Sequence, residues 1–246
     1  MVKQSRDMTI LLTRPAAQSL RFASELQHAL PDIPIILSPL MVPEYLNPPI
    51  PPDNFSAVIL VSVAAVEAAK RISATGAKLP TLAYCVGNRT AAAATALGLQ
   101  ALSAKGDAAD LLAMIKADQP SGPLLFLRGR DSSGDIAKNL LSAAIETVSV
   151  IVYQQKATNL NPGAIDLLHG NQPVVLPVFS VRSAALVQAE IARISAKAPL
   201  WIAALSPAIA TAFDQKTVAG LETAHHPDSG SMILAVRGLV SSLTAP

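Results

Sequence analysis

Small hydroxyl-bearing residues and arginines recur directly after short apolar segments of this chain. Helix N-termini at strand-to-helix turns present free N–H groups and partial positive charge, which bind carboxylates and phosphates. In open α/β sheets, ligands bind at the carboxyl ends of the strands. Six turns therefore favour the binding of a polyanion: Thr13-Arg14-Pro15, Ser62-Val63-Ala64, Gly87-Asn88-Arg89-Thr90, Arg128-Gly129-Arg130, Ser180-Val181-Arg182-Ser183 and Ser206-Pro207.

Each of these turns also has a plainer interpretation. Ser and Thr before a helix are common N-caps, so any one hydroxyl could serve only its own helix. The repetition of the turn in a chain without cofactor motifs favours an anion site. Because the net charge is only +2, we expect single arginines, and not a broad positive field, to contribute the charge.

Tyr153 is a separate candidate, because it ends the apolar stretch Val148–Val152 and precedes a polar pair of glutamines. The residues alone leave two interpretations open: an anchor in the core, or a phenol that faces a ligand. Cys85 lies inside an apolar segment just before Gly87, which favours a small core residue over a nucleophile.

The sequence lacks the features that usually mark several classes of protein. The chain has neither G-x-x-x-x-G-K-[ST] nor G-x-G-x-x-G, and no Ser-His-Asp order stands out. Its four histidines do not form a metal set with the single cysteine, and we predict that His225–Asp228 is an exposed loop. The small net charge and the 4% aromatic content argue against a nucleic-acid binder.

The cellular location also follows from what the chain lacks. No apolar run approaches the roughly 18 residues of a membrane span, and Met1–Asp7 is not followed by a secretion signal. A single cysteine cannot form an internal disulfide, which fits a reducing compartment. We therefore predict a cytoplasmic protein that does not bind membranes.

Apolar strands and alanine-rich helices alternate along most of the 246 residues. Uniformly apolar strands in this alternation predict parallel sheets covered on both faces. Pro177 lies inside one strand and predicts an edge position or a bulge there. The last helix is predicted over 231–243, and the strands are predicted near 9–13, 35–37, 57–61, 82–86, 124–128, 148–153, 174–179 and 200–205.

Matched spacing predicts two similar units. Ser62 and Gly87 are 25 residues apart, and Ser180 and Ser206 are 26 apart. The proline-rich stretch 38–52 excludes a long helix and predicts an extended crossing between two lobes, with the polyanion held in a cleft between them. The predicted layout is a discontinuous domain of 1–38 and 157–246, an inserted domain of 46–149, and linker strands 39–45 and 150–156.

An ordered set of motifs resembles the uroporphyrinogen-III synthase family over nearly the whole chain. No single motif is specific, but their order is. The matching segments are Leu12–Pro15, Ser38–Met41, Val58–Ser62 with Ala65-Val66, Val86-Gly87 with Thr90-Ala91, Ser103-Ala104 with Gly106–Ala108 and Leu111-Leu112, Leu127–Gly129 with Gly134-Asp135, Val152-Tyr153, Phe179-Ser180 with Arg182–Ala184, and Leu205–Pro207. The chain departs from the family pattern at Val61, Ala64 and Ile209, where polar residues are frequent, and at Pro177.

The resemblance implies a fold and a reaction. The fold is two flavodoxin-like or Rossmann-like α/β lobes joined by a two-stranded linker. The reaction is the cofactor-independent cyclisation of hydroxymethylbilane, a linear tetrapyrrole with eight carboxylates, with inversion of ring D and loss of water. This lyase step of heme biosynthesis would use Tyr153 at the departing hydroxyl.

Our hypothesis is that substrate binds largely through main-chain N–H groups, at Arg14, Ser62, Val63, Ala64, Thr90, Arg128, Ser180, Val181, Arg182, Ser183 and Ser206. A structural role is the alternative interpretation of Arg14 and Arg128. We expect no metal or cofactor, a monomer, and substrate handed over by the preceding enzyme of the pathway.

Two other functions remain open from the residues. A two-lobed sensor of a small anion would have the same lobes and linker strands but perform no chemistry, and Tyr153 would then only pack. A sugar-nucleotide transferase ranks lower, because no paired-carboxylate metal motif is present.

Overall fold

The computed structural model describes residues 8–131, 135–214 and 217–244. Its elements divide between two compact units, Pro43–Lys156 and Met1–Val42 with Ala157–Pro246. In chain order the elements are β1 (Thr9–Leu12), α1 (Ala16–Ala29), β2 (Ile35–Leu37), β3 (Met41–Tyr45), β4 (Ala57–Leu60), α2 (Val63–Ala74), β5 (Leu82–Cys85), α3 (Asn88–Ala96), β6 (Gln100–Ser103), α4 (Ala108–Asp118), β7 (Leu124–Gly129), α5 (Ile136–Leu141), β8 (Thr147–Ala157), α6 (Pro162–His169), β9 (Val174–Val178), α7 (Val181–Ile194), β10 (Leu200–Ala204), α8 (Pro207–Ala210), β11 (Gly220–Thr223) and α9 (Ser229–Thr244).

Each unit is built on one sheet whose strands carry alternating side chains to two cores. In the unit of residues 43–156, Val58 and Leu60 enter one core, and Ala57 and Ile59 enter the other. All four residues are fully buried, because helices cover both faces of the sheet. The second unit repeats this pattern, with Leu11 on one face and its two neighbours in β1 on the other.

The strand orders of the two sheets correspond position by position. One sheet runs β6-β5-β4-β7-β8-β3 and the other runs β11-β10-β9-β1-β2. Parallel pairing joins β4 to β5 and β7, and likewise β9 to β10 and β1. In the first sheet, the five strands that correspond follow the order 3-2-1-4-5, as in Rossmann-type sheets. The α/β fold class predicted from the sequence is confirmed.

The second sheet is a circular permutation of the first. The segment β4-α2-β5-α3-β6-α4 corresponds to β9-α7-β10-α8-β11-α9. The segment that completes the unit, β7-α5-β8, follows directly in the chain. Its counterpart β1-α1-β2 lies instead at the start of the chain. The two units therefore share a topology but not a chain order.

Pro177 does not lie on an edge or at a bulge, so that prediction was wrong. Strand β9 lies between β10 and β1, and Pro177 pairs in register with Ala203. The backbone groups of Val174 and Val178 hydrogen bond towards β10, so the nitrogen of Pro177 points towards β1. Pairing with β1 covers only Val174 and Val175. The missing N–H therefore falls beyond that ladder, which makes the proline tolerable in a central strand.

Strands β6 and β11 were not predicted from the sequence. Both are short edge strands without fully buried residues. The helix after Ser206 is only four residues long, and β8 extends well beyond the predicted 148–153. None of the helices within the described ranges combines the length and apolar composition that a membrane span requires.

Candidate active site

Four strand-to-helix turns share one backbone geometry. In each, two residues separate the last strand residue from the first helical residue. The N-cap φ/ψ values are −158°/158° at Ser62, −152°/169° at Gly87, −156°/155° at Ser180 and −154°/161° at Ser206. Each turn therefore presents the first N–H groups of its helix at the carboxyl edge of a parallel sheet.

The strand order reverses at one place in each sheet. Helices from β4 and β7 lead to strands on opposite sides of that pair, and the same holds for β9 and β1. Connections that diverge in this way leave a crevice at the carboxyl ends of the two strands, where open α/β sheets bind their ligands. The turns after β4 and β9 begin at these crevices.

In the unit of residues 43–156, a phenol reaches the crevice. Ser62 Oγ caps α2 by accepting a hydrogen bond from Ala65 N–H at 3.1 Å. The same oxygen lies 3.0 Å from Tyr153 Oη, in a hydrogen bond to which either hydroxyl can donate. Tyr153 is half-buried and packs against the core beneath α2. The structure thus brings together two of the predicted site residues.

Gly129 makes room for the Tyr153 ring. A Cβ at Gly129 would lie 2.7 Å from Cζ and 2.9 Å from Oη of Tyr153. The register between β7 and β8 also shifts here: Arg128 pairs with Ile151, whereas Gly129 pairs with Tyr153. This irregularity is a β-bulge, which re-aims a side chain. Arg130 N–H holds the bulged strand by donating to Tyr153 O at 2.9 Å.

The other unit has an arginine at the corresponding crevice. The Arg14 guanidinium lies 3.7 Å from the centre of the Phe179 ring, a cation–π contact. Its Nε donates to Gln18 Oε1 at 3.2 Å. Burial, followed by the neighbouring charge of Arg21, lowers the pKa of Arg14, against the opposing effect of Glu25. Within the part of the chain that the structure describes, no carboxylate forms an ion pair with Arg14.

In the turn after β9, the serine side chain hydrogen bonds with its own helix. Ser180 Oγ accepts from Ser183 N–H at 3.1 Å and lies 2.8 Å from Ser183 Oγ. Val181 and Arg182, which begin α7, are exposed. Ser206 makes no side-chain capping bond, and a proline begins its helix. These predicted residues therefore lie at one edge of one sheet.

The remaining predicted residues lie in the unit of residues 43–156. Val63 is exposed and Ala64 half-exposed in the first turn of α2. Thr90 is buried in the first turn of α3. Arg128 Nη1 donates to Gly129 O at 3.3 Å near the end of β7. Gly134, part of one family-like motif, lies outside the described residues.

Cys85 and the consecutive histidines His225 and His226, which the sequence argued against as site residues, lie in surroundings typical of core and surface residues. Cys85 is fully buried, and burial raises the pKa of its thiol to about 11, so the reactive thiolate is scarce at neutral pH. His225 and His226 are exposed before α9. Among the described residues, no three His, Cys, Asp or Glu side chains lie close enough together to hold a metal ion.

Sequence reasoning missed the role of Gly129 and the bond between Ser62 and Tyr153. The available signal was a glycine ending an otherwise apolar strand, which often marks the close approach of another group. The partner of Ser62 lies 91 residues away in sequence, and no local pattern identifies it.

Together, the fold and these crevices define a protein of two parallel α/β units, each with helix N-termini at the carboxyl edge of its sheet and one of them at the place where its strand order reverses. Residues 35–234 match the family model described as uroporphyrinogen-III synthase HemD. The chain belongs to this family, and the resemblance drawn from its motifs is confirmed.

Two solved structures are similar to this chain. A uroporphyrinogen-III synthetase from Helicobacter pylori 26695 superposes with a TM-score of 0.57 at 14% identity, covering 94% of this chain and 99% of that one. A mutant uroporphyrinogen III synthase from the extremely thermophilic bacterium Thermus thermophilus gives 0.45 at 13% identity, covering 95% and 99%. Among curated proteins, none matches this chain. At these identities the Helicobacter structure supports the fold alone.

Proposed function

We propose that this protein is a uroporphyrinogen-III synthase, a lyase that cyclises hydroxymethylbilane to uroporphyrinogen III with loss of water and inversion of ring D. The observation that carries this function is the family match over residues 35–234. Two features described above fit it: repeated helix N-termini suited to carboxylates, and one phenol held at a strand crevice.

The eight carboxylates of the substrate require many hydrogen-bond donors. The turns after β4, β5, β9 and β10 offer the backbone N–H groups of their helices, which bind carboxylates without relying on particular side chains. Because Val61, Ala64 and Ile209 replace frequent polar residues, we infer that the main chain supplies most contacts there. Arg14 adds a desolvated positive charge, which strengthens a hydrogen bond to a carboxylate. The full set of proposed binding residues is Arg14, Ser62, Val63, Ala64, Thr90, Arg128, Ser180, Val181, Arg182, Ser183 and Ser206.

The chemical step breaks the bond between the terminal carbon and its hydroxyl oxygen, and the electron pair leaves with the oxygen. Tyr153 donates its hydroxyl hydrogen to that oxygen and so stabilises the departing group, an effect typically worth about 10²-fold or more. The substituted position of ring D then attacks this electron-deficient carbon to give a spiro intermediate. The bond from that ring position to its original bridging carbon breaks, and the bridging carbon joins the unsubstituted position of ring D, which inverts the ring and closes the macrocycle. Restoring the aromatic pyrrole releases one proton, which balances the proton carried off in water.

The enzyme's remaining task is to hold the chain in one conformation. Hydroxymethylbilane also cyclises unaided without inverting ring D, so selectivity depends on favouring the inverting route. Loss of water and ring closure leave the overall oxidation state unchanged, and we propose that no cofactor takes part.

The proposed domain layout follows the sequence prediction: 1–38 with 157–246, an inserted domain of 46–149, and linker strands 39–45 and 150–156. Compact units that divide at Val42/Pro43 and Lys156/Ala157 support it. Strands β3 and β8 cover most of the proposed linkers. A cytoplasmic monomer that receives its substrate from the preceding enzyme completes the proposal.

Product analysis tests this function directly. Purified protein is incubated with hydroxymethylbilane, and the products are oxidised and resolved into type I and type III porphyrins by chromatography. We expect type III to dominate at protein concentrations that convert the substrate faster than its spontaneous closure. A product that stays type I at every protein concentration would refute the proposal. This is the result expected of an anion-binding protein without catalytic activity.

A further inference from the structure

The Tyr153 hydroxyl is attached to a helix end. Its 3.0 Å contact with Ser62 Oγ joins β8 to the first turn of α2, across 91 residues of sequence. Ser62 Oγ is itself fixed, because it accepts the capping hydrogen bond of Ala65 N–H at 3.1 Å. The phenol oxygen therefore has a defined place relative to the N-terminus of α2.

Gly129 leaves the space that the ring occupies. A Cβ there would approach Cζ, Cε2 and Oη of Tyr153 to between 2.7 and 2.9 Å, closer than real Cβ contacts allow. The bulge at Arg128/Gly129 then sets the direction in which Tyr153 leaves its strand. Among the standard residue types, only glycine leaves this ring position free.

The direction of the hydrogen bond between the two hydroxyls determines whether the phenol keeps a hydrogen for a ligand. A serine hydroxyl has one hydrogen and two lone pairs, and Ala65 N–H already uses one lone pair of Ser62. If Ser62 donates to Tyr153 Oη, the phenol keeps its own hydrogen for a ligand. In the reverse direction that hydrogen is consumed inside the protein. Donation by Ser62 also polarises the phenol and strengthens its outgoing hydrogen bond.

We propose that Ser62 and Gly129 are positioning residues for Tyr153: Ser62 donates its hydrogen to Tyr153 Oη, Gly129 leaves the space in which the ring lies, and Tyr153 donates to the departing hydroxyl of the substrate. This inference rests on the proposed synthase function. It gives the Ser62 side chain a task beyond capping α2.

Substitutions at Ser62 test the inference by kinetics. Ser62→Ala should lower kcat about 10-fold with little change in KM, since a misplaced catalytic group slows the chemical step. It should also lower the type III share of the product, because spontaneous closure then competes. Ser62→Thr keeps the hydroxyl and should restore kcat to within about twofold of the wild type.

The matched control is Asp107→Ala, which removes the N-cap of α4 in the same unit. Both alanine variants lose one helix cap, so thermal unfolding should show similar destabilisation, of about 1 kcal/mol. Only Ser62→Ala should lose activity. If Ser62→Ala keeps the kcat and product ratio of Asp107→Ala, the hydroxyl serves its helix alone and the inference is overturned.

A double-mutant cycle separates action through Tyr153 from direct action on the substrate. We expect Ser62→Ala to cause no further loss in a Tyr153→Phe background, because the group that it positions is already absent. Losses that multiply would overturn the positioning role. Wild-type protein that yields only type I product would instead refute the underlying function, so the two failures are distinguishable.

A readout without substrate completes the test. The near-UV circular dichroism of Tyr153 is isolated as the difference between the wild type and Tyr153→Phe. Ser62→Ala and Gly129→Ala should both diminish this difference signal, whereas Asp107→Ala should leave it intact. An undiminished signal in both variants would show that neither residue determines the ring position, and would overturn the proposal even if activity fell.

Discussion

The turns at Ser62 and Ser180 have nearly the same backbone but different neighbours. Their N-cap φ and ψ values agree within 3°, and each hydroxyl accepts from the N–H three residues later. The second contact of Ser62 is the Tyr153 phenol, whereas that of Ser180 is Ser183 of its own helix. One local design thus serves a distant side chain in one unit and only its helix in the other.

Turn geometry and the side chains beside a turn therefore have separate origins. The two-residue turn recurs because a parallel strand must feed a helix with its first N–H groups capped. The side chain next to each turn comes from the strands on the other side of the crevice. In one unit β7 ends at Gly129 and Tyr153 lies in the next strand, whereas in the other unit Arg14 follows β1. We propose that the phenol of one unit serves the chemical step and that Arg14 of the other unit serves substrate binding.

Removing the phenol should have the largest effect. Tyr153→Phe keeps the ring against Gly129 but loses the hydrogen donated to the departing hydroxyl. We expect the single-turnover rate of type III formation to fall by about 100-fold or more, with stability little changed. If Tyr153→Phe retains the full rate, the phenol has no chemical role, and the two units do not differ in this respect.

Filling the space beside the phenol should come next. Gly129→Ala places a methyl group within 2.9 Å of the Tyr153 ring, so ring or backbone must move. We expect about 1–3 kcal/mol of destabilisation in urea unfolding and a fall in kcat on the order of 10-fold. Gly98→Ala lacks a neighbouring clash but lies at positive φ, so it should reduce stability without reducing kcat. Equal kinetics for both variants would contradict the role of the ring position.

The charge of the second unit is tested at Arg14. Arg14→Gln should raise KM roughly 10-fold and change kcat little, since a hydrogen bond from a charged donor to substrate is lost. Arg71→Gln is the matched control, because Arg71 also stacks on an aromatic ring, 4.3 Å from the centre of Tyr45, but lies in the last turn of α2. A similar rise in KM for both variants would exclude a specific role for Arg14.

Removing a helix cap should have a smaller effect, and the loss of stability should be the same in the two units. Ser62→Ala and Ser180→Ala each remove one side-chain cap and should each cost about 1 kcal/mol by thermal unfolding. Only Ser62→Ala should alter the near-UV signal of Tyr153. A changed tyrosine signal in Ser180→Ala would mean that the two turns are not independent.

The smallest expected effect concerns acid stability. Hydrogen bonds from Arg193, with a further one from Leu160 N–H, lower the pKa of buried Glu190. Its contribution to stability is therefore complete above the unfolded-state pKa of about 4.3 and is lost as pH falls through the lower folded-state pKa. Glu190→Gln should be less stable at neutral pH and lose less stability than the wild type between about pH 5 and 3. Parallel pH profiles from urea unfolding would contradict this assignment.

Local patterns predicted most of the fold. Buried strands such as Ala57–Leu60 and Val174–Val178 are continuous apolar runs, and the serines after them mark the helix starts. The edge strands β6 and β11 were missed because their polar residues carry no burial pattern. Pro177 was misjudged because its tolerance depends on which neighbouring strand its nitrogen faces, which a single strand does not encode.

The candidate site was predictable only in part, for the same reason. Tyr153 and Ser62 were both identified, but separately and from different patterns. Their contact depends on strand order and on a bulge between β7 and β8, both of which are properties of the assembled sheet. Residue type indicated which groups could act, and tertiary structure determined which of them meet.

The permuted chain order has a consequence for biosynthesis. The unit of residues 43–156 is contiguous, so it can fold as soon as that stretch has left the ribosome. The central strands β1 and β9 of the other unit pair Thr9 with Val174, so β1 and its partner β2 must wait for β9 while the whole inserted unit is made. We expect such long-range closure to be slow, and nascent chains arrested before β9 to expose the apolar faces of β1 and α1 to chaperones.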